Sequence, residues 1–355
     1  MHYQNLEQRV IQAYIDTFPP FISETGGEAT ESAQKQFYNF MNSVYQNLFD
    51  TPSLLFTKLN EDDFFTFRFN KSLDKKPKLN EQMRSDTKKV EALLDVLFEI
   101  GVSGCISDNQ LIVDKTVKIS GSHLAVFKQC GLAYAAQGSR HVFSYGGGNE
   151  LFGAWKWMST RPNASKLSVS RCLFNAEYSY ATDIYSRLFG DTKAFLSLLE
   201  YLSNNGYTRI DNRDNQITLD YVKNYDKKDQ PLKDSWAERT HGGISLQYHY
   251  NMEKPACISL RVPRLKELLN GSDSMDDGLK EFVLRNNKHC DNCRYCVQTD
   301  KTGTRKPACI SVTLDKEYML CPLFPGFSYC WDFLNEDLAF NIKRFLAFID
   351  TSLKG

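Results

Sequence analysis

Two stretches, Leu93-Leu94-Asp95-Val96-Leu97-Phe98-Glu99-Ile100-Gly101 and Leu198-Leu199-Glu200-Tyr201-Leu202-Ser203-Asn204-Asn205-Gly206, read alike. Each sets leucines at helical spacing before a glycine able to take the positive φ that ends a helix. A little further on, Asn109-Gln110-Leu111-Ile112-Val113-Asp114 matches Asn215-Gln216-Ile217-Thr218-Leu219-Asp220. Both places predict an amphipathic helix, a glycine stop and a hairpin turning on Asp-Asn. A helix plus one hairpin cannot bury its own apolar face, so the two copies are expected to pack together or onto a shared sheet. The fold class this implies is α+β, with two related helix-plus-β-hairpin halves.

Outward from these copies, the N-terminal stretch reads as helices broken by Pro19-Pro20 and Gly26-Gly27. From Ala29 to Phe49, residues Ala33, Phe37, Phe40, Val44 and Leu48 fall on one helical face, and Asp50-Thr51-Pro52 stops that helix. Phe64, Phe65, Phe67 and Phe69 alternate as in a strand, and the Lys-rich residues 71–89 read as a solvated loop leading into the next helix. Tyr145-Gly146-Gly147-Gly148-Asn149 lacks the Lys-Ser/Thr of a phosphate loop and reads as a connection. Trp155, Trp157 and Met158 after it are expected in a core or at the junction of the halves. Near the C-terminus, Leu338, Ile342, Phe345, Leu346 and Ile349 mark an amphipathic closing helix over residues 335–353. The domain boundaries predicted are 1–145 for the first half, 146–280 for the second, and 281–355 for a cysteine-rich module with its closing helix.

The chain of 355 residues is 42% hydrophobic and 24% charged, a globular composition that argues against wholesale disorder. Its 43 basic residues offset 43 acidic ones, so no global field draws it to nucleic acid or to a membrane surface. Glu7, Arg9 and Asp16 interrupt the first twenty residues, and no apolar run reaches the ~20 residues a bilayer span requires. A cytoplasmic protein with no membrane association is the expectation.

Of ten cysteines, Cys105, Cys130, Cys172 and Cys257 stand alone, whereas Cys290, Cys293, Cys296, Cys309, Cys321 and Cys330 crowd together. Isolated thiols beside one dense cluster favour metal ligation over a disulfide scaffold. Cys290-Asp291-Asn292-Cys293-Arg294-Tyr295-Cys296 is a C-x2-C-x2-C run, whose sulfurs converge on one ion. A polar turn with Gly303 follows, then strand-like residues 308–314 and 317–320, then Cys321-Pro322 and Cys330. Knuckle, hairpin, third strand and second cysteine pair resemble a zinc ribbon, although eight residues rather than two part Cys321 from Cys330. Lys254-Pro255-Ala256-Cys257-Ile258-Ser259 is echoed by Lys306-Pro307-Ala308-Cys309-Ile310-Ser311, so Cys309 reads as a strand residue like Cys257, a cysteine with no neighbours to ligate with. The ligand candidates are therefore Cys290, Cys293, Cys296, Cys321 and Cys330, with Zn²⁺ in a closed, structural four-sulfur site. Three cysteines in C-x2-C-x2-C plus a remote Cys-Pro also resemble a ferredoxin-type site, so a [4Fe–4S] cluster on Cys290, Cys293, Cys296 and Cys321 is the alternative cofactor.

No Gly-x-Ser-x-Gly elbow, His-Glu-x-x-His or Walker sequence occurs. His241, after Glu238 and Arg239, and His249, between Tyr248 and Tyr250, are the imidazoles that an enzyme with a cleft between the halves would use. Arg285, Lys288, Arg294, Lys301, Arg305 and Lys306 outnumber Asp291 and Asp300, so the module is locally basic and nucleic acid is a minor candidate partner. The leading expectation is a metal-binding protein whose halves present a surface to a small molecule or a protein.

Overall fold

The computed structural model describes residues 5–59, 76–148, 150–211, 217–225, 241–248, 256–270, 274–287, 297–299, 305–307, 310–313, 316–320 and 329–353. Contacts divide the chain into two units, Met1–Tyr180 and Ala181–Gly355. Each is an α+β body with its own antiparallel sheet.

In the first unit, α1 (Leu6–Asp16) starts at Asn5, whose side chain accepts from the Gln8 N–H, and α2 (Glu31–Asp50) starts at Thr30 in the same manner. The apolar stripe predicted for α2 is its buried face, since Ala33, Phe37, Phe40, Val44 and Leu48 are all withdrawn from solvent. Helix α1 is buried from Leu6 to Tyr14, charged residues included. A buried Arg171 lies over the rings of Tyr14 and Tyr45 and donates to the Tyr14 carbonyl at 2.5 Å, which satisfies part of its guanidinium inside the core. The long α3 (Lys76–Ser103) then feeds the hairpin of β1 (Cys105–Ser107) and β2 (Gln110–Asp114). Its two-residue turn is Asp108-Asn109, both at positive φ, as a type I′ hairpin demands and as the sequence predicts.

After α4 (Gly121–Gln129), β3 (Leu132–Gln137) and β4 (Arg140–Tyr145) complete a sheet in the order β1-β2-β4-β3. Helices α5 (Glu150–Thr160) and α6 (Lys166–Ser170) belong to this unit, so the division falls near residue 180 and not near 145. The cause is packing. Trp155 stacks on Phe37 at 5.9 Å and lies tilted against Phe40 at 5.5 Å, and its indole N–H donates to the Leu97 carbonyl, which fixes α5 between α2 and α3. Gly101 is no helix stop, because α3 continues through it to Ser103. Its missing side chain serves a close approach instead, since a Cβ there would overlap Ser159 and stand 2.8 Å from the Trp155 ring.

The second unit opens with α7 (Tyr180–Phe189), which begins at the boundary, and α8 (Thr192–Asn204), capped by Asp191. Gly206, at φ +79°, is the positive-φ residue after α8 that the sequence predicts. Strands β5 (Thr208–Asp211), β6 (Thr218–Asn224), β7 (His241–Tyr248) and β8 (Ala256–Arg261) follow in antiparallel order, and β13 (Tyr329–Trp331) closes the sheet beside β8. Helices α3 and α8 are each followed by an antiparallel pair of strands, β1–β2 and β5–β6. The two sheets differ at the next strand, because β7 joins β6 directly whereas β2 is joined by β4 only after α4 and β3.

Between β8 and β13 run α9 (Leu265–Asn270), α10 (Asp277–Asn286) and the short strands β9 (Val297–Thr299), β10 (Arg305–Pro307), β11 (Ile310–Thr313) and β12 (Glu317–Leu320). Among the described residues, these strands pair as two separate hairpins, β9–β10 and β11–β12. The chain from 281 onward shares one unit with residues 181–280 and does not stand as a third. It ends in α11 (Glu336–Ser352), which starts at Asn335 and buries Leu338, Ile342, Phe345, Leu346 and Ile349, the stripe read from the sequence. No described helix is long and apolar enough to cross a membrane. Residues 64–69, read as a strand, lie outside the described residues.

Candidate functional site

The five-stranded sheet of the second unit has two faces of different chemistry, set by the alternation of side chains along each strand. Leu219, Tyr221, Ile244, Leu246, Ile258, Leu260, Tyr329 and Trp331 occupy one face and are buried. Tyr329 meets Phe345 of α11 edge to face at 5.5 Å, which places that helix on the apolar side. At one end of this side, the Asp350 carboxylate accepts from Tyr225 at 2.7 Å, Lys223 at 2.8 Å and Tyr207 at 3.4 Å, and Lys223 also lies over both tyrosine rings. This network pins the C-terminal turn of α11 to β6. Burial pushes the Tyr207 and Tyr225 hydroxyls well above the ordinary tyrosine range, with the Asp350 charge adding to the shift. Tyr45 and Tyr329 are likewise pushed up, burial being the main cause.

A raised tyrosine pKa keeps the folded state neutral where the unfolded chain ionises. The stability of the fold is therefore complete below pH ~10 and declines above it, by ~1.4 kcal/mol per such tyrosine at pH 11. Titration of the phenolate absorbance should show these four hydroxyls ionising together with loss of the circular dichroism, well after the exposed tyrosines. Ionisation of all 18 in one smooth step, fold intact, would contradict this assignment.

The opposite face is polar. The strand register sets Asp220, Ser245, Ser259 and Cys330 in a row across β6, β7, β8 and β13, one residue per strand at about 4.8 Å spacing. A parallel row holds Thr218, Gln247 and Cys257, and a third holds Val222, Gly243 and Arg261. A solvated sheet face would leave such residues wet, yet Asp220 and Ser245 are 2% exposed, Ser259 4% and Thr218 8%. Ser245 sits at the centre and accepts from Gln247 and from Arg261, each at 3.4 Å. Cys257 and Ser259 approach to 3.6 Å. Gly243 leaves this grid without a side chain between Val222 and Arg261, and its φ of +136° is a conformation that glycine accepts without strain. Buried hydroxyls and a carboxyl, with a half-buried amide and guanidinium beside them, form hydrogen bonds in surroundings of reduced dielectric, where each contact discriminates between ligands.

Cys330, expected among the metal ligands, is bonded to Cys257 in a disulfide with Cα atoms 6.6 Å apart. A sulfur so committed has no thiolate to offer a metal, and Cys257 is not the solitary cysteine that its sequence surroundings suggest. The reason is topological: β13 returns from the cysteine-rich stretch to pair with β8, which brings two cysteines distant in sequence onto neighbouring strands. Cys290, Cys293, Cys296 and Cys321 lie outside the described residues, as does Cys309. Among the described residues no cluster of His, Cys, Asp or Glu could hold a metal ion, and Cys105, Cys130 and Cys172 are free thiols. Of the two candidate imidazoles, His241 begins β7 with its backbone opposite Asn224, and His249 lies outside the described residues.

The polar rows were not singled out from the sequence, although a signal was present. Thr218-Leu219-Asp220-Tyr221, Ile244-Ser245-Leu246-Gln247 and Cys257-Ile258-Ser259-Leu260-Arg261 each alternate polar with apolar residues. That pattern predicts a half-buried strand, and only the tertiary structure shows its polar side withdrawn from solvent as well. Comparison with known proteins finds no match among protein-family models, curated proteins or solved structures.

Proposed function

We propose that the chain is a binding protein which holds a small zwitterion on the polar face of the five-stranded sheet, with its cysteine-rich stretch stapled by a structural metal. The observation that carries the binding reading is the clustering of Asp220, Ser245, Ser259, Thr218 and Arg261 on one side of the sheet, with Arg261 donating to Ser245. The α11 side of the same sheet is apolar, whereas this side sets a carboxyl, hydroxyls and a guanidinium beside one another. Asp220 suits an ammonium group, Arg261 suits a carboxylate, and the serines between them suit the atoms that join the two.

The staple rests on the sequence. With Cys330 committed to Cys257, the remaining candidates are Cys290, Cys293, Cys296 and Cys321, four sulfurs as a tetrahedral Zn²⁺ requires. A closed four-sulfur set leaves the metal no open position, so its contribution is to folding and not to chemistry. The same four cysteines would carry the iron–sulfur alternative, which a brown preparation reveals at once.

A thermal-shift series with the free amino acids as probes tests the binding reading. One or more should raise the melting temperature in proportion to the logarithm of its concentration above its Kd, and Arg261→Met should abolish the shift. No response to any amino acid, or a response that survives in Arg261→Met, overturns it. Elemental analysis of protein purified without chelators should find about one zinc per chain, and metal well below that ratio removes the staple.

A further inference from the structure

We infer that Cys257 and Cys330 form a thiol–disulfide exchange pair that acts as a redox clasp on the second unit. The pair is separated by 73 residues, and the loop it closes contains Cys290, Cys293, Cys296, Cys309 and Cys321. The chain leaves the sheet at β8, and its return is held by β13, an edge strand of three residues paired with β8 alone. A ladder so short gives little cooperativity of its own, so the covalent link adds to the hold that the buried Tyr329 and Trp331 side chains have on the return.

The two sulfurs stand in unequal surroundings. Cys330 belongs to an exposed residue, whereas Cys257 is 3% exposed and has the Ser259 hydroxyl 3.6 Å from its sulfur. An incoming thiolate reaches Cys330 first. It attacks that sulfur, forms a mixed disulfide with Cys330 and expels Cys257 as a thiolate, toward which the Ser259 hydroxyl can turn its proton. A second thiol of the same reductant then displaces Cys330. One dithiol is oxidised to its disulfide, two protein thiols are formed, and the two protons come from the dithiol. Opening the clasp frees the Cys330 end of the row Asp220–Ser245–Ser259–Cys330, so reduction is coupled to the polar face whatever ligand that face takes.

The test is a glutathione redox titration of the folded full-length protein, with alkylation and peptide mass mapping. Cys257 and Cys330 should become alkylated together as the reduced fraction rises, re-pair in oxidised glutathione, and leave the far-ultraviolet circular dichroism unchanged. Two variants test the direction of attack. Cys257→Ser should carry one glutathione on Cys330, and Cys330→Ser should carry none on Cys257. A disulfide that resists dithiothreitol until the protein is denatured overturns the proposal, as does reduction that abolishes folding. So does glutathione on Cys257 of the Cys330→Ser variant, or its absence from Cys330 of the Cys257→Ser variant.

Discussion

Gly243→Ala is expected to lower the stability of the second unit by about 3 kcal/mol, the sum of backbone strain and a steric overlap. At φ +136° an alanine has no comfortable backbone conformation, and its Cβ would run into the Tyr221 carbonyl oxygen on the neighbouring strand. The obstacle is backbone within a hydrogen-bonded ladder, so no rotamer change can relieve it. Either β7 shifts away from β6, breaking the register that aligns Asp220 with Ser245, or the residue remains strained. For a unit of this size the loss corresponds to a fall of roughly 6–12 °C in melting temperature. Gly206→Ala makes an informative contrast, because a Cβ there meets nothing within 4 Å and only the positive φ of +79° is disturbed. Its cost should be ~1 kcal/mol. Equal melting temperatures for the two variants would show that the crowding at Gly243 has no energetic weight.

Asp350→Ala is the second change with a large expected effect, about 2–4 kcal/mol. Asp350 is 6% exposed and receives hydrogen bonds from Lys223, Tyr225 and Tyr207, so its removal takes the shared acceptor from an ammonium and two hydroxyls. The Lys223 ammonium keeps its bond to the Asn205 carbonyl at 2.8 Å and the two hydroxyls keep theirs to each other, which limits the loss. Much of the cost lies in the stranded ammonium and not in the ion pair itself. The double variant Lys223→Met/Asp350→Leu should therefore recover most of the stability lost in Asp350→Ala, a non-additivity that chemical denaturation can measure. Additive losses in the double variant would mean that Lys223 and Asp350 are energetically independent.

How legible this protein is in its sequence depends on the distance over which each feature is determined. The turn at Asp108-Asn109 and the apolar stripes of α2 and α11 follow from residues a few positions apart, and the structure has them where the sequence reading expects them. Gly101 misleads because a glycine after leucines reads as a stop, while its actual role is set by Ser159 and Trp155 on another helix. The unit boundary near residue 180 is hidden for the same reason, since the contact of Trp155 with Phe37 spans more than a hundred positions. The Cys257–Cys330 bond is hidden most deeply. Local spacing assigns Cys330 to the nearby cysteines, whereas the pairing of β13 with β8 assigns it to Cys257. Likewise, alternation along β6, β7 and β8 distinguishes their two faces but does not reveal that Thr218, Asp220, Ser245 and Ser259 on the polar one are buried too.

The polar face can be tested without knowing its ligand, because a binding surface is tuned for its guest and not for the stability of its host. The triple variant Thr218→Val/Ser245→Ala/Ser259→Ala removes three buried hydroxyls and leaves the apolar side of the sheet untouched. Its melting temperature in the absence of ligand should equal or exceed that of the parent. A fall of about 5 °C or more would mean that these hydroxyls hold the sheet together as an internal hydrogen-bond network, and that the face binds nothing but its own chain.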